Sequence, residues 1–425
     1  MKTSHIIEIA RKTIKQAAKN KNPTPPSILR LDEALLARTP SEDIGETTVE
    51  AIELYPRILQ SIKAPGAERL KETIVIGIDS SSRLIDTPTA SIIVASISIS
   101  SNKKPGLGDW PPLYGNGIPG FNEPFITILP INEDYNVEDH EYVTTSNPAG
   151  IEYHGDYSVY QALDEARVRL ENRALEAIAD ILEDAKPTSD VLILIDGPLY
   201  LVTGAITRPG VPYEYKKAWE QLSMQRIRAV SRLESAGARV YGVVKRIERA
   251  SLLQKDPNLD TRIRNCLGDG RFNDKLILYR SLENRLCTRI TPPNGGGYAL
   301  TTPSLKIEYI GQNASKTAQY VVIPQPRWTP NPYASRYYRV EESYSSWLEN
   351  EGRWHNYRSP VAGLLLDSVS RGTTEPVTIK YSDKRAKEIT AYLKTIMVME
   401  AARNNVPISY SNEIEVYQLW ARVGA

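Results

Sequence analysis

Two short apolar runs constrain the fold of this chain more strongly than any other feature of its sequence. They cover residues 74–78 and 191–195, and each consists almost entirely of Ile, Val and Leu. Runs of this length and composition are typical of strands buried on both faces, as in the parallel part of an α/β sheet. An aspartate follows each run directly, Asp79 after the first and Asp196 after the second. The sequence therefore predicts an α/β protein in which each of two buried strands ends in a carboxylate.

The elements around these runs predict the order of the sheet. An alternation of isoleucine and serine over residues 91–100 predicts a half-exposed strand, and a third strand is expected at about 125–131. A long helix, the second buried strand, another helix and another strand follow, at about 158–184, 191–195, 213–236 and 239–244. Three antiparallel strands extended by parallel strands through helical crossovers match the ribonuclease H-like plan. We therefore expect a ribonuclease H-like mixed sheet flanked by helices.

Both ends of the chain are predicted to be helical. Apolar residues recur at helical spacing near the N-terminus, a second helical patch covers about 41–64, and helices are expected at about 360–370 and 383–403. With 425 residues the chain has room for two or three domains. At Thr73 the sequence pattern instead changes from helical spacing to a buried strand. This change favours a helical N-terminal arm over residues 1–72, which contacts a partner or a dimer mate. Residues 73–425 then form one α/β domain with a C-terminal helical elaboration.

The two strand-end aspartates are the first candidates for a functional site. Acids at the carboxyl edge of an open α/β sheet lie where such folds bind ligands. A single aspartate in this position more often caps the turn that follows. Two of them on neighbouring strands repel each other and shift each other's pKa unless a divalent cation lies between them. The pair Asp79 and Asp196 therefore favours a shared cation over two separate caps.

The long helix between these strands carries one glutamate that faces inward. Glu171 lies seven residues before Ile178, and at about 100° per residue the two side chains point within about 20° of each other. Ile178 belongs to the apolar stripe of the helix, so Glu171 points toward the sheet, whereas Glu176 lies on the solvated face. A carboxylate that faces the interior is costly unless it is paired or binds a metal. Glu171 therefore joins the candidate site.

Downstream cations and one further acid complete the candidate set. The last parallel strand ends in Lys245 and Arg246, and Arg249 follows about one helical turn later. Cations at a strand end beside acidic residues suit contacts with phosphate groups, although ordinary surface charge explains them equally well. Asp367 lies two turns into a helix that Ser359 caps, a position that solvated acids often occupy.

Aromatic residues are frequent in the proline-rich loops. They either stack on unpaired nucleic-acid bases or, as is more common, pack beneath the loops that carry them. The residues concerned are Trp110, Tyr114, Trp328, Tyr333, Tyr337 and Tyr338.

Composition narrows the chemistry that remains. A net charge of +1 argues against a polybasic protein but not against nucleic-acid binding, because acidic and basic patches can offset each other. Cys266 and Cys287 are too few for a disulfide scaffold or a cysteine-rich zinc site, and the four histidines form no metal-binding pattern. A bound metal is therefore expected to be a hard cation with carboxylate ligands. No apolar stretch approaches the ~20 residues of a membrane span, so we expect a soluble cytoplasmic protein.

Several motifs, taken in order, resemble those of the NurA nuclease family of archaea and bacteria. The similarity extends over roughly residues 73–400, and its specificity comes from the order and spacing of motifs that are individually short. The matching segments are Gly77 to Ser82, Arg169 to Glu171, Ile195 to Leu199, Gly242 to Arg246, Arg339 to Glu341 and Ser359 to Asp367.

This resemblance implies a ribonuclease H-like core and DNA cleavage that depends on Mn²⁺ or Mg²⁺, with two ions in each active site. By motif, it implies that Asp79, Glu171 and Asp196 are catalytic metal ligands. The fourth ligand is then Asp367, with His355 as the alternative. It further implies that Lys245 neutralises the developing phosphorane charge. Contacts with DNA are expected from Lys245, Arg246 and Arg249.

The resemblance also implies partners and a cellular process. Members of the family form homodimers around a DNA channel and work with the hexameric HerA translocase, an ATPase. The process is the resection of DNA double-strand breaks, and the protein is then expected to be associated with the nucleoid. The expected activities are those of a 5′-to-3′ exonuclease and a single-strand endonuclease.

Two other function classes remain open from the sequence. The same acids suit a ribonuclease H-like enzyme that acts on RNA or branched DNA. Outside the enzymes, the alternative is an inert DNA-binding scaffold for a motor, although a scaffold has no need for a buried acid cluster. A phosphatase or kinase-like protein is disfavoured because the sequence contains no glycine-rich phosphate loop of the Walker type.

Overall fold

A computed structural model of the chain describes residues 3–19, 47–52, 57–103, 107–131, 142–201, 211–248, 250–284, 286–289, 297–309, 314–325, 333–349 and 359–408. The strands are β1 (Thr47–Ala51), β2 (Leu59–Lys63), β3 (Thr73–Asp86), β4 (Ala90–Ser101), β5 (Asp109–Trp110), β6 (Ile126–Pro130), β7 (Val143–Thr144), β8 (Asp190–Asp196), β9 (Ala238–Val244), β10 (Thr288–Arg289), β11 (Tyr298–Thr301), β12 (Leu305–Tyr309), β13 (Ser315–Ile323) and β14 (Arg336–Ser343). The α-helices are α1 (Thr3–Lys19), α2 (Arg69–Glu72), α3 (Val159–Ala185), α4 (Tyr213–Ser235), α5 (Pro257–Leu267), α6 (Asp274–Glu283), α7 (Tyr344–Glu349), α8 (Pro360–Asp367) and α9 (Val377–Arg403).

The described strands belong to one mixed sheet. Five strands lie side by side as β6, β4, β3, β8 and β9. Strand β4 is antiparallel to both of its neighbours, β6 and β3, whereas β8 is parallel to both β3 and β9. The two buried runs of the sequence are therefore adjacent, with Ile78 opposite Ile195. The predicted fold class, an α/β protein with a mixed sheet flanked by helices, is confirmed.

Beyond β9 the sheet continues with antiparallel strands, and two of them come from the N-terminal region. The second helical patch predicted for about 41–64 is wrong within the described residues, because β1 pairs with β12 and β2 pairs with β11. The β-branched residues Thr47, Thr48 and Val49 favour a strand. In so short a segment, the spacing of apolar residues does not distinguish a strand from a helix.

Helices cover both faces of the sheet centre. The apolar stripe of α3, which includes Leu170, Ala174 and Ile178, joins β3 and β4 in one hydrophobic core. Helix α9 packs on the opposite face of the same two strands, and α1, the described helix of the predicted N-terminal arm, packs against α9. An ion pair of 3.1 Å between Arg11 and Glu400 joins these last two helices. Among the described helices, none is both long and apolar enough to cross a membrane.

The serine-lined face of β4 is buried, not half exposed as predicted, because α9 lies against it. Ser96 Oγ lies 2.7 Å from the Ala386 carbonyl oxygen and 2.6 Å from Thr390 Oγ1. Ser382 Oγ donates a hydrogen bond of 2.8 Å to the Gly77 carbonyl oxygen. Small hydroxyl side chains between the helix and the sheet thus form hydrogen bonds with backbone carbonyls and with each other. An alternation of polar and apolar residues cannot reveal such a cover, because the residues that supply it lie far away in the sequence.

Gly77 allows α9 to approach the sheet closely. A Cβ atom at this position would lie 2.4 Å from the Thr378 carbonyl carbon and 2.6 Å from the Ile379 amide nitrogen. Both atoms belong to the helix backbone, which cannot turn aside as a flexible side chain can. A larger residue at position 77 must therefore push α9 away from β3.

Cys266 and Cys287 form a disulfide with their Cα atoms 5.7 Å apart. The bond joins the end of α5 to the residue before β10. Cys287 belongs to a hydrophobic cluster that β11, β12 and β13 also line. This bridge therefore ties the elements beside the antiparallel extension of the sheet to one another.

Substitution of Gly77 by alanine is expected to destabilise the protein by roughly 1–3 kcal/mol, the usual cost of overpacking a tight interface. Urea or thermal unfolding of the purified variant measures the change. Gly66→Ala is the matched control, because a Cβ atom there would meet only the flexible carboxylate of Glu68. Equal stabilities of the two variants would contradict the close packing of α9 on β3.

Candidate active site

Three carboxylates meet where α9 crosses the centre of the sheet. One oxygen atom from each of Asp79, Asp196 and Asp383 lies within 4.8 Å of the other two, and we call these residues the acid group. Asp79 and Asp196 follow the paired residues Ile78 and Ile195 on adjacent parallel strands, so the register of β3 and β8 brings them together. Asp383 comes from α9, about two turns after the helix begins.

Asp79 lies within its strand, and the prediction that the strand ends there is wrong. Strand β3 continues to Asp86 because it remains paired with β4 over its full length. Its neighbour on the other side, β8, does end at Asp196. The site is therefore a step in the sheet, where β3 runs past the end of β8. Asp79 is only 5% exposed at this step.

Asp383 is the member of the acid group that the sequence analysis misses. It precedes the buried Thr390 by seven residues, so the two side chains point within about 20° of each other. The same test identifies Glu171. The predicted helix begins at position 383, whereas the observed helix begins at Val377. Because the predicted helix begins at Asp383 itself, helical periodicity cannot show whether this side chain points toward the sheet or toward solvent.

Glu171 points inward, as predicted, but its oxygen atoms have protein partners. Oε1 accepts a hydrogen bond of 2.5 Å from Ser80 Oγ, and Oε2 accepts one of 2.7 Å from Arg226 Nη2. Arg226 is almost fully buried and also donates to the side chain of Asn172. The structure therefore places Glu171 beside the acid group, with Ser80 and Arg226 holding its two oxygen atoms in place.

Burial and the crowding of negative charge raise the pKa of Asp79 to about 9. Burial is the largest cause, followed by repulsion from Asp196 and Glu171 and by the hydrogen bond with Asp383. Burial also acts to raise the pKa of Asp383, but the hydrogen bonds from Lys387 and Asp79 outweigh it, so this pKa falls below its usual value. Without a cation at neutral pH, Asp79 therefore stays protonated, and its carboxyl O–H donates a hydrogen bond to Asp383.

Two lysine ammonium groups contact the acid group. Lys245 Nζ, at the end of β9, lies 2.7 Å from Asp196 Oδ2, so the structure brings this predicted site residue to the acids. Lys387 Nζ, which the sequence analysis does not single out, lies 2.5 Å from Asp383 Oδ1. Arg246 is exposed next to Lys245 in the chain, and Arg249 lies outside the described residues.

Asp367 is not brought into the acid group. Its Oδ2 accepts hydrogen bonds from the backbone nitrogen and the hydroxyl of Thr378, at 2.8 and 2.7 Å, and its Oδ1 accepts one of 2.8 Å from Arg371. Oδ2 thus holds the start of α9, where free backbone N–H groups attract a carboxylate, and Oδ1 is occupied by Arg371. The alternative fourth ligand, His355, lies outside the described residues.

The loop aromatics divide into packed and exposed residues. Trp110 packs against Phe121 and Tyr142, and Tyr338 is buried, with its hydroxyl donating to the Thr374 carbonyl. Tyr337 is half-buried. Tyr114 and Tyr333 remain exposed over more than four fifths of their surface, at 83% and 85%. Trp328 lies outside the described residues.

The acid group has the chemistry of a site for a hard divalent cation. Carboxylate oxygens are the ligands that Mg²⁺ and Mn²⁺ prefer. A cation among the three acids would replace the proton that Asp79 otherwise keeps, because its positive charge favours the ionised carboxylate against both burial and repulsion. Among the described residues, no histidine or cysteine belongs to the group. The donor set therefore fits the hard, oxygen-liganded cation expected from composition.

Asp79→Asn is expected to stabilise the metal-free protein at neutral and higher pH. Because the pKa of Asp79 rises from 3.8 to about 9 on folding, its contribution to stability is full below about pH 4 and is lost as the pH rises toward 9. An amide does not ionise, so the variant avoids this loss, which is on the order of a few kcal/mol at pH 8. Thermal unfolding in EDTA between pH 5 and pH 9 measures both proteins. A pH dependence in the variant as steep as in the wild type would contradict this assignment.

Comparisons with known proteins identify the family of this chain. The chain is similar to a solved structure, the crystal structure of the NurA nuclease from Sulfolobus solfataricus, at 11% sequence identity and a TM-score of 0.39, over 78% of this chain and 83% of that one. No curated protein matches the sequence. A family model described as the NurA domain matches residues 73–388, a span that includes all of the acid group, Glu171 and Lys245. The chain therefore belongs to the NurA family.

Proposed function

We propose that this NurA-family nuclease hydrolyses phosphodiester bonds in DNA with two divalent cations, Mn²⁺ or Mg²⁺, at the acid group. The observation that carries the proposal is the meeting of three carboxylate oxygens within 4.8 Å of one another. When bound, such cations supply an activated water and stabilise charge on the leaving oxygen. The ribonuclease H-like plan expected from the sequence is part of this proposal, and the order and directions of the five central strands support it.

The acids have separate tasks in this proposal. Asp79 is the central ligand, because both other members of the acid group interact with it. Asp196 and Asp383 complete the ligand set from β8 and α9. Glu171 orients the attacking water, because Ser80 and Arg226 already hold its two oxygens in place.

We give Asp367 a positioning task in place of the ligand role first expected of it. Its hydrogen bonds to Thr378 hold the N-terminal turn of α9, the helix that carries Asp383. Movement of this turn would therefore change the distance from Asp383 to the two strand acids.

Lys245 and Lys387 are proposed to contact phosphate oxygens of the substrate. Each ammonium group now forms an ion pair with one member of the acid group. A bound cation would compete for these carboxylates and leave the lysines free to bind phosphate. Arg246 and Arg249 are proposed to extend the DNA contact along the chain after β9.

The finer functional proposals rest on the family. We propose a 5′-to-3′ exonuclease and single-strand endonuclease that forms a homodimer and works with a HerA-type hexameric ATPase in double-strand break resection at the nucleoid. Residues 1–72 are proposed as the arm that contacts the ATPase or the dimer mate. Digestion of end-labelled single-stranded and duplex DNA, with and without a HerA-type ATPase, tests activity and partnership together. Preferential cleavage of RNA or branched DNA would favour the ribonuclease H-like alternative, and no cleavage with either metal would favour a scaffold.

Asp79→Asn and Asp383→Asn are each expected to lower cleavage of end-labelled DNA at least a hundredfold while DNA affinity stays within about twofold, because the acids hold cations and not DNA. Asp86→Asn, at the far end of the same strand β3, is the control and should cleave normally. Full activity of Asp79→Asn with Mn²⁺ would overturn the assignment of the site. Full activity of Asp383→Asn alone would remove Asp383 from the ligand set.

Lys387→Met is expected to weaken DNA binding and to reduce the salt dependence of the binding constant by about one phosphate contact. Lys384→Met is the matched control, since Lys384 lies on the same helix and is 75% exposed but contacts Glu388 at 3.9 Å and not the acid group. Titration of labelled phosphorothioate DNA, which resists cleavage, at several salt concentrations and with Mg²⁺ present measures both variants. An equal change in salt slope for the two would exclude a specific role of Lys387.

A further inference from the structure

We propose that Tyr114, Tyr381 and Arg385 form a stacking site for unpaired nucleobases of a DNA strand, next to the acid group. This inference rests on the proposed function, because it assigns a further contact to the same substrate. We call the three residues the stacking site. They come from the loop after β5 and from the exposed side of α9.

Tyr114 presents an open aromatic ring. Tyr114 is 83% exposed. An exposed tyrosine ring is usually free to turn in solvent, but here an arginine contacts it. The guanidinium carbon of Arg385 lies 5.0 Å from the centre of the ring, at the distance of a cation–π contact. The arginine therefore backs one side of the ring and leaves the rest of it available to a planar ligand.

Arg385 is itself held in place, and it links the ring of Tyr114 to strands β5 and β4. Its Nε donates to Asp109 Oδ2, and the other oxygen of Asp109 accepts a hydrogen bond from Ser98 Oγ. Ser98 lies directly opposite Asp79 in the pairing of β3 with β4. The stacking site is thus fixed relative to the acid group through Ser98 and Asp109.

The second aromatic ring of the stacking site belongs to Tyr381, which lies beside Arg385 on α9. Tyr381 precedes Arg385 by four residues, which places both on the same side of the helix. It is 64% exposed. Two open tyrosine rings therefore accompany one arginine on the helix that also carries Asp383.

The charges around the site favour a base over a phosphate group. The charge of Arg385 is balanced by ion pairs with Asp109 and, at 3.3 Å, with Glu388. A phosphate would have to compete with both carboxylates, whereas the flat face of a base meets no such barrier. Bases within a duplex already stack on each other, so the ligand must be an unpaired nucleotide, either in a single strand or at a frayed end.

The experiment uses the full-length protein in EDTA, which prevents metal-dependent cleavage. Oligonucleotides that carry 2-aminopurine report stacking through fluorescence quenching, and titration gives the affinity for single-stranded and duplex DNA. Tyr114→Ala should weaken single-strand binding roughly tenfold and reduce the quenching, in line with the loss of one stacked base. Its duplex affinity should stay within twofold of the wild type. Tyr114→Phe should retain both the affinity and the quenching.

Tyr333→Ala is the matched control. Tyr333 is as exposed as Tyr114, at 85%, but its ring meets Tyr279 edge-on instead of an arginine. This variant should bind like the wild type. An equal loss for Tyr114→Ala and Tyr333→Ala, an equal loss for single strand and duplex, or no loss for Tyr114→Ala would overturn the proposal.

Failure of this inference can be told apart from failure of the proposed function. If the wild type cleaves DNA but Tyr114→Ala binds single strands normally, only the stacking site is wrong. If the wild type quenches 2-aminopurine through Tyr114 but cleaves no DNA with either metal, the stacking site stands and the nuclease assignment falls.

Discussion

The close packing of α9 on β3 and β4 is the contact on which the rest of the site depends. Large side chains normally keep packed helices about 8–10 Å apart and stacked sheets about 10 Å apart. Here the interface contains Gly77 and a set of serines, and the helix backbone comes close enough that a single Cβ atom at position 77 would collide with it. This short distance lets a side chain as short as that of Asp383 reach Asp79. The hydroxyl groups of Ser96 and Ser382 bond to backbone carbonyls across the interface, so close contact leaves these polar groups satisfied.

The same crowding determines the charge balance of the site. Four carboxylates lie close together in a largely buried place, and isolated charges of this kind are expensive to bury. Arg226 neutralises Glu171, while Lys245 and Lys387 face the acid group and Asp79 keeps a proton. A net charge of +1 for the whole chain therefore conceals a strongly paired centre. A cation that binds among the acids would compete with two lysine ammonium groups and one proton.

Local sequence patterns predicted the features that depend on neighbouring residues, such as buried strands. They failed for exposure and strand pairing, which depend on contacts with distant parts of the chain. The buried strands follow from runs of apolar residues, and the inward direction of Glu171 follows from helical periodicity. The exposure assigned to the serines of β4 was wrong because the helix that covers them lies almost 300 residues away. Residues 47–51 and 59–63 are strands because of partners that no local spacing reveals. Asp367 and Asp383 both belong to the C-terminal helices, and only the observed start of α9 shows which of them faces the strand acids.

The distance in sequence between Asp79 and Asp383 also has a consequence for the order in which the chain is made. A growing polypeptide contains β3, β8 and both of their aspartates long before α9 has been synthesised. At that stage the strands can pair, but the third carboxylate is missing and the serine face of β4 is uncovered. The complete acid group exists only once α9 has been made and has docked on the sheet. On the proposed assignment of the acid group as the catalytic site, cleavage therefore requires α9 to be docked on the sheet.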